Sequence, residues 1–230
     1  MKMDQSTQEC NQEIQAVLWD MDGVLVDTSQ FHFIAWKQVM KEYGFELDYE
    51  TFKTAFGLKN ERIIEKFLNK PYDPEFFHQI EERKESIFRQ LIKNNVTVLP
   101  GVRHWLDKFQ SLHILQAVAS SAPKENIDLL LENAGIRGYF SAVVSADSLP
   151  SKPDPAVFLK AASLLHIPQE KCVVIEDAFY GIQAAHHAGM KCIAVGNSLP
   201  LKELNQADLV VPRLVDLTEE AFFNLSGTQH

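Results

Sequence analysis

Two hydrophobic periods alternate along most of this chain. Ala16-Val-Leu-Trp19 is a short apolar run that ends in Asp-Met-Asp-Gly, and an apolar run broken by a glycine turn reads as a buried strand feeding a loop. The same character recurs at Leu115–Ser120, Ala142–Ser145, Cys172–Ile175 and Cys192–Val195, with Leu209–Val211 as a further edge strand. Between these runs lie stretches of helical spacing: Lys124–Ala134 closed by Gly135, Ala156–His166 following Pro155, and Tyr180–Ala188 closed by Gly189. Strands alternating with helices predict an α/β fold, a Rossmann-like parallel sheet covered on both faces.

Residues 30–95 interrupt that alternation with three or four helical patterns and no strand pattern. Phe33, Trp36, Met40 and Tyr43 form one stripe, Ile63, Ile64, Phe67 and Leu68 a second, and Phe77, Ile80, Ile87 and Leu91 a third. Leu99-Pro-Gly101 marks the return to the sheet. The expected organisation is a loosely held tail over 1–13, a sheet domain over 14–29 and 96–230, and a helical insertion over 30–95.

Composition narrows the function classes. The 230 residues, 46% hydrophobic and 23% charged, suit an ordinary globular chain with a sizeable core. A formal net charge of -9 argues against nucleic acid as a partner, which needs basic surface. It leaves room for a small phosphorylated metabolite, because a local cationic pocket can sit in an acidic protein. No apolar stretch is long enough to span a membrane, and the polar N-terminal segment does not resemble a signal peptide. Of the three cysteines, Cys10, Cys172 and Cys192, none shows metal-ligand spacing. Cys172 and Cys192 fall in apolar runs as small core residues, which suits a reducing cytoplasm.

Ligands of doubly wound sheets bind outside the carboxyl ends of the strands. The first strand ends in Asp20 and Asp22, the second in Ser120 and Ser121, the third is followed by Asp147 and Lys152, and the fourth ends in Glu176 and Asp177. Carboxylates gathered in one cleft repel one another unless a cation joins them, and hard oxygen donors select Mg²⁺. With that metal, Asp20 suits a nucleophile that forms an aspartyl-phosphate, and a tight turn brings Asp22 back as general acid and base. Ser120 and Lys152 would hold the phosphoryl oxygens on which transition-state charge is spread. Taken singly, each of these residues has an ordinary explanation as a turn, cap or surface residue, and for Asp27 that explanation is preferred. Their arrival in order at successive strand ends sets them apart.

Trp19-Asp-Met-Asp-Gly-Val-Leu-Val-Asp-Thr28 resembles the first motif of the haloacid dehalogenase superfamily. Ser120 resembles the second motif, Ser151-Lys-Pro-Asp-Pro155 the third, and Val174-Ile-Glu-Asp-Ala-Phe-Tyr-Gly-Ile182 the fourth, so the likeness spans about residues 15–213. The helical insertion then resembles the superfamily's small α-helical cap. The resemblance implies that Asp20 is phosphorylated in each turnover. It implies that Asp22 protonates the leaving group, activates water and ligates Mg²⁺ through its carbonyl. Asp177 would be a metal ligand, and Glu176 a direct or supporting one. The dehalogenases share the nucleophile but lack the counterpart of Asp22, so its presence points to phosphate chemistry.

The subgroup most alike contains β-phosphoglucomutase and many sugar-phosphate phosphatases. Asp27–Trp36 looks like the mutase segment entering the cap, where the counterpart of His32 links cap closure to the acid/base carboxylate. His32 and Trp36 share one helix face, and Trp36 also suits plain packing. Lys84 lies on the third stripe, where a lysine ordinarily keeps its head in water, yet it aligns with a mutase lysine that contacts substrate phosphate. The mutase grips its non-transferring phosphate with a cap arginine. Asn60 stands there in this chain, and asparagine has neither the charge nor the fork for a phosphate. Lys59 and Arg62 are the nearby substitutes. The expectation is therefore a Mg²⁺-dependent phosphatase acting on a small sugar phosphate, with a phosphosugar mutase as the alternative and a catalytically silent binding relative as a third reading. The chain is expected to be a monomer or weak homo-oligomer.

Overall fold

A computed structural model describes residues 14–55, 60–71, 73–93 and 95–225. The tail assigned to 1–13, with Cys10, lies outside the described residues, as does Lys59. Strand β1 (Ala16–Trp19) is followed by helices α1 (Ser29–Glu42), α2 (Tyr49–Lys53), α3 (Asn60–Leu68) and α4 (Pro74–Ile92). Helix α5 (Val102–Ser111) then leads to β2 (Leu115–Ser120), α6 (Lys124–Asn133), β3 (Ala142–Ser145) and α7 (Ala156–Leu165). Strand β4 (Cys172–Glu176), α8 (Phe179–His187), β5 (Lys191–Val195), β6 (Leu209–Val211) and α9 (Glu219–Asn224) complete the order.

The six strands form one sheet of order β3-β2-β1-β4-β5-β6, parallel throughout. β1 lies between β2 and β4, with Trp19 opposite Val118 on one side and Ile175 on the other. The chain therefore reverses direction of travel across the sheet at β1, and such a switch point opens a crevice at the strand ends.

Alternation along each strand divides the core. Val17, Trp19, Val118 and Ile175 face one side with Trp105 and Phe109 of α5 and Phe222 of α9. Ala16, Leu18, Ala117 and Val174 face the other with Val157, Phe158 and Ala161 of α7. Full burial of a valine or leucine here contributes about 1.5–3 kcal/mol. The polar exception is satisfied: Trp19 Nε1 donates to Gln116 Oε1 at 3.1 Å, and Gln116 Nε2 donates to the Leu106 carbonyl at 3.0 Å.

The inserted helices pack on their own stripes. Trp36 and Met40, Ile63, Ile64 and Phe67, and Phe77, Ile80 and Ile87 are buried as expected. Tyr43, at the end of the first stripe, is instead 40% exposed. Local chemistry sets the helix starts: Asp73 accepts from the N–H groups of Glu75 and Phe76 ahead of Pro74, and Asp48 accepts from Thr51 N–H at 2.8 Å. Among the described residues, α5 and α9 are helices that the apolar pattern did not predict.

Candidate active site

The backbone N–H of Asp20 donates to the Ile175 carbonyl at 3.0 Å, which ties the first loop to β4. The chain then folds back on itself: Gly23 N–H donates to the Val26 carbonyl and Leu25 N–H to the Met21 carbonyl, each at 2.9 Å. Gly23 has φ of +81°, and a Cβ there would lie 1.9 Å from Asp177 Oδ2. Only glycine allows this turn at this distance from the β4 loop. The turn is what returns Asp22 to the side of the cleft where Asp20 sits.

Lys152 closes the centre. Its Nζ donates to Asp20 Oδ1 at 2.5 Å and to Glu176 Oε1 at 2.6 Å. Glu176 Oε2 accepts the N–H groups of Asp177 and Ala178, so both of its oxygens are engaged. That suits Glu176 to holding Lys152 and the β4 loop rather than to direct ligation. Ser120 Oγ accepts from the Ala122 N–H at 3.0 Å, and Asp177 accepts from Ser198 Oγ. Asp147 accepts the Lys124 N–H at the start of α6.

The charges are strained by burial. Burial pushes the Asp20 carboxyl up to about 7, Lys152 opposes it, and Glu176 adds to it. Burial and then the charges of Glu176 and Asp20 also raise Asp177 well above the usual carboxylate range. Burial would lower the Lys152 ammonium, but Asp20 and Glu176 hold it above its ordinary value.

The inserted helices form the opposite wall. Asp22 Oδ1 accepts from Thr28 Oγ1 at 2.5 Å and lies 3.4 Å from His32 Nε2. Burial would raise the Asp22 carboxyl, but the hydrogen bonds of His32 and Thr28, with the charge of Lys84, bring it below its ordinary value. Lys84 does not keep its head in water: it is 2% exposed, with Nζ 3.0 Å from His32 Nδ1 and 2.7 Å from Glu85 Oε1. The rings of Trp36 and Phe88 lie 5.6 Å and 5.1 Å from that ammonium, so Trp36 both packs and cradles a cation. Asn60 Nδ2 donates to Glu81 Oε1 at 2.8 Å and to Glu85 Oε1 at 2.9 Å. Arg62, considered as a substitute anchor, instead pairs with Glu65 at 2.8 Å on exposed surface and does not line the cleft.

Between the two walls lies a cleft of about 480 Å³, and apart from Arg62 and the undescribed Lys59 every catalytic, metal and substrate candidate named from the sequence lines it, Ser121 included. The family described as haloacid dehalogenase-like hydrolase matches residues 17–195. The chain belongs to that family. A β-phosphoglucomutase of Bacillus subtilis (strain 168) is 33% identical over 215 residues, 90% of this chain and 93% of that protein. A fructose-1-phosphate phosphatase of Escherichia coli (strain K12) is 34% identical over 185 residues, 78% of this chain and 95% of that protein. The crystal structure of a β-phosphoglucomutase from Clostridium difficile aligns with a TM-score of 0.84 at 29% identity, covering 93% of this chain and 97% of that one. This haloacid dehalogenase-like hydrolase is thus an enzyme of the β-phosphoglucomutase-like group of phosphatases and mutases.

Several residues that line or support this family member's cleft carry no signal in the sequence. Thr28 ends the first motif and binds Asp22, Ser198 binds Asp177 from the loop after β5, Glu81 and Glu85 build the helical wall, and Asn126 of α6 donates to Glu85 across from it. No helix among the described residues is long and apolar enough to cross a membrane. No group of three or more His, Cys, Asp or Glu side chains among the described residues is placed to hold a metal by itself. A Mg²⁺ site needs no such group, since that ion takes one or two carboxylates and completes its shell with water, carbonyl oxygen and substrate phosphate. The raised Asp20 and Asp177 carboxyls, pushed up partly by their neighbours' charge, are the donor set a divalent cation would relieve.

Proposed function

We propose that this chain is a Mg²⁺-dependent phosphatase that hydrolyses a small sugar phosphate carrying one phosphate group, with the inserted helices acting as a cap over the site. An oxygen of Asp20 attacks phosphorus, the bond from phosphorus to the leaving oxygen breaks, and Asp22 supplies the proton to that oxygen. Water, giving its proton to Asp22, then attacks the phospho-aspartate and frees phosphate and Asp20. Mg²⁺ held by Asp20, Asp177 and the Asp22 carbonyl would neutralise phosphoryl charge. Lys152 and Ser120 orient the phosphoryl oxygens, and Thr28 and His32 orient Asp22 and favour the anion left once its proton has gone to the leaving oxygen, the form that water activation requires. The buried free thiols of Cys172 and Cys192 fit a reducing cytoplasm.

The observation that carries hydrolysis over isomerisation is the surroundings of Asn60. A mutase must bind a second phosphate on the cap, and here the corresponding amide is committed to Glu81 and Glu85. Glu61, Glu82 and Glu125 also line the cleft, and its cation Arg89 is paired with Glu125, so a distal phosphate would meet mostly carboxylates. The test is a phosphate-release screen over sugar and nucleotide monophosphates beside isomerisation of β-glucose 1-phosphate with a trace of the bisphosphate. Free phosphate should appear faster than glucose 6-phosphate, stop on chelation and resume with Mg²⁺. Rapid conversion to glucose 6-phosphate with little free phosphate would overturn hydrolysis in favour of the mutase, and no turnover of any monoester would favour a binding relative.

A further inference from the structure

The hydrogen-bonded path behind Asp22 begins and ends in the sheet domain but runs through the inserted helices. It passes from Asp22, on the loop after β1, to His32 on α1, to Lys84 and Glu85 on α4, and returns to Asn126 on α6. An ammonium has only hydrogens to offer, so His32 Nδ1 accepts from Lys84. The ring hydrogen is therefore on Nε2, which donates to Asp22. Lys84 is in turn fixed by Glu85, whose carboxylate is 4% exposed and accepts from Lys84, Asn60 and, at 2.6 Å, Asn126 Nδ2. Asn126 is fully buried, and its Oδ1 accepts from Arg89 at 3.1 Å, which sets the amide with Nδ2 toward Glu85. The contact between Glu85 and Asn126 is the point where this path crosses back from the cap to the sheet domain.

The resemblance already implies that the counterpart of His32 links cap closure to the acid/base carboxylate; we infer that Glu85 and Asn126 are further positioning residues of this chain, a latch between α4 and α6 that holds Lys84 against His32 when the cap is closed. The inference rests on the phosphatase reading for its kinetic consequence. When α4 lies on α6, Asn126 holds Glu85, Glu85 aims Lys84, Lys84 sets the His32 tautomer, and His32 holds the Asp22 side chain. When the helices swing away, Glu85 loses its partner across the interface and Lys84 is free to turn from His32. Neither Glu85 nor Asn126 touches the reacting atoms, so both act only through this path.

The test exchanges donor and acceptor across the interface. Asn126→Asp sets a carboxylate against Glu85 and should lower kcat by about 10- to 100-fold, within the range a positioned acid or base contributes. The KM for a small monoester should change less than kcat. Adding Glu85→Gln to Asn126→Asp restores a donor–acceptor pair with the roles reversed and should recover most of the lost kcat. Amide hydrogen exchange over α4 and α6 reads closure without turnover: faster exchange in the single variant, slower again in the double. A folded Asn126→Asp with wild-type kcat and exchange, or a double variant no better than the single, overturns the latch. Absence of phosphatase activity in the wild type would overturn the reaction assigned above, while the exchange pattern would still decide the latch.

Discussion

The two walls of the cleft hold their polar groups in different ways. On the sheet side, Asp20, Ser120, Glu176 and Asp177 follow directly from strand ends, and backbone hydrogen bonds fix them: Asp20 N–H to the Ile175 carbonyl, Asp177 and Ala178 N–H to Glu176. On the helical side, Asn60, Glu81, Lys84 and Glu85 are held by one another's side chains. Backbone-fixed groups suit the phosphoryl group, which every substrate of such an enzyme shares. Groups fixed by side chains can change one at a time, which suits the part of the substrate that varies.

The largest expected effect falls on the sheet wall. Asp20→Asn is nearly isosteric and keeps the backbone tie to Ile175, so the fold should persist by circular dichroism. Turnover should fall on the order of 10⁴-fold or more, because the covalent route is closed. Substantial activity in a carefully purified variant would mean that this wall does not supply the nucleophile.

A second change attacks the support of that wall without touching a charged group. A Cβ on Gly181 would lie 1.7 Å from Glu176 Oε1, the atom that accepts from Lys152. Gly181→Ala must displace the Glu176 carboxylate and with it one of the two partners of Lys152. We expect kcat to drop about 100-fold, the scale of an ångström-level misplacement. Gly138→Ala, where a Cβ would meet nothing within 4 Å, serves as the control and should be close to neutral. Equal kinetics in the two variants would show that Glu176 and Lys152 tolerate displacement.

The same contrast explains what the sequence made legible. All six strands are short apolar runs, and the chemistry of the sheet wall follows within a few residues of their ends, so fold and core site are read together. The helical wall is assembled from residues far apart in the chain, and its partners share no pattern. Glu85 lies in the run Glu81-Glu82-Arg83-Lys84-Glu85, which by composition belongs on solvated surface, yet Lys84 and Glu85 bury each other because each neutralises the other's charge. Lys84 was expected to reach water for want of that partner. Helix α5 carries Val102, Trp105, Leu106 and Phe109 at helical spacing, a readable pattern passed over beside the Leu99-Pro-Gly101 turn.

The smallest effect is expected where the helical wall is altered alone. Asn60→Arg places a guanidinium at the position that, by the resemblance, would grip a mutase's distal phosphate. In this chain the side chain there is met by Glu81 and Glu85, with Glu61 also lining the cleft. An arginine among carboxylates pairs with them in preference to a ligand that must first displace them. Isomerisation of β-glucose 1-phosphate should therefore gain no more than about a few-fold, since the new fork is already occupied, and phosphate release should remain the faster reaction. Combining Asn60→Arg with Glu81→Gln removes one competing carboxylate while leaving Glu85 on Lys84, and should tighten binding of the bisphosphate more than Asn60→Arg does alone. The measurement is the ratio of glucose 6-phosphate to free phosphate in wild type, single and double variants. A single variant that isomerises rapidly with little phosphate released would show that the carboxylates around position 60 do not govern the outcome, and the contrast between a fixed chemical wall and an adjustable one would lose its support.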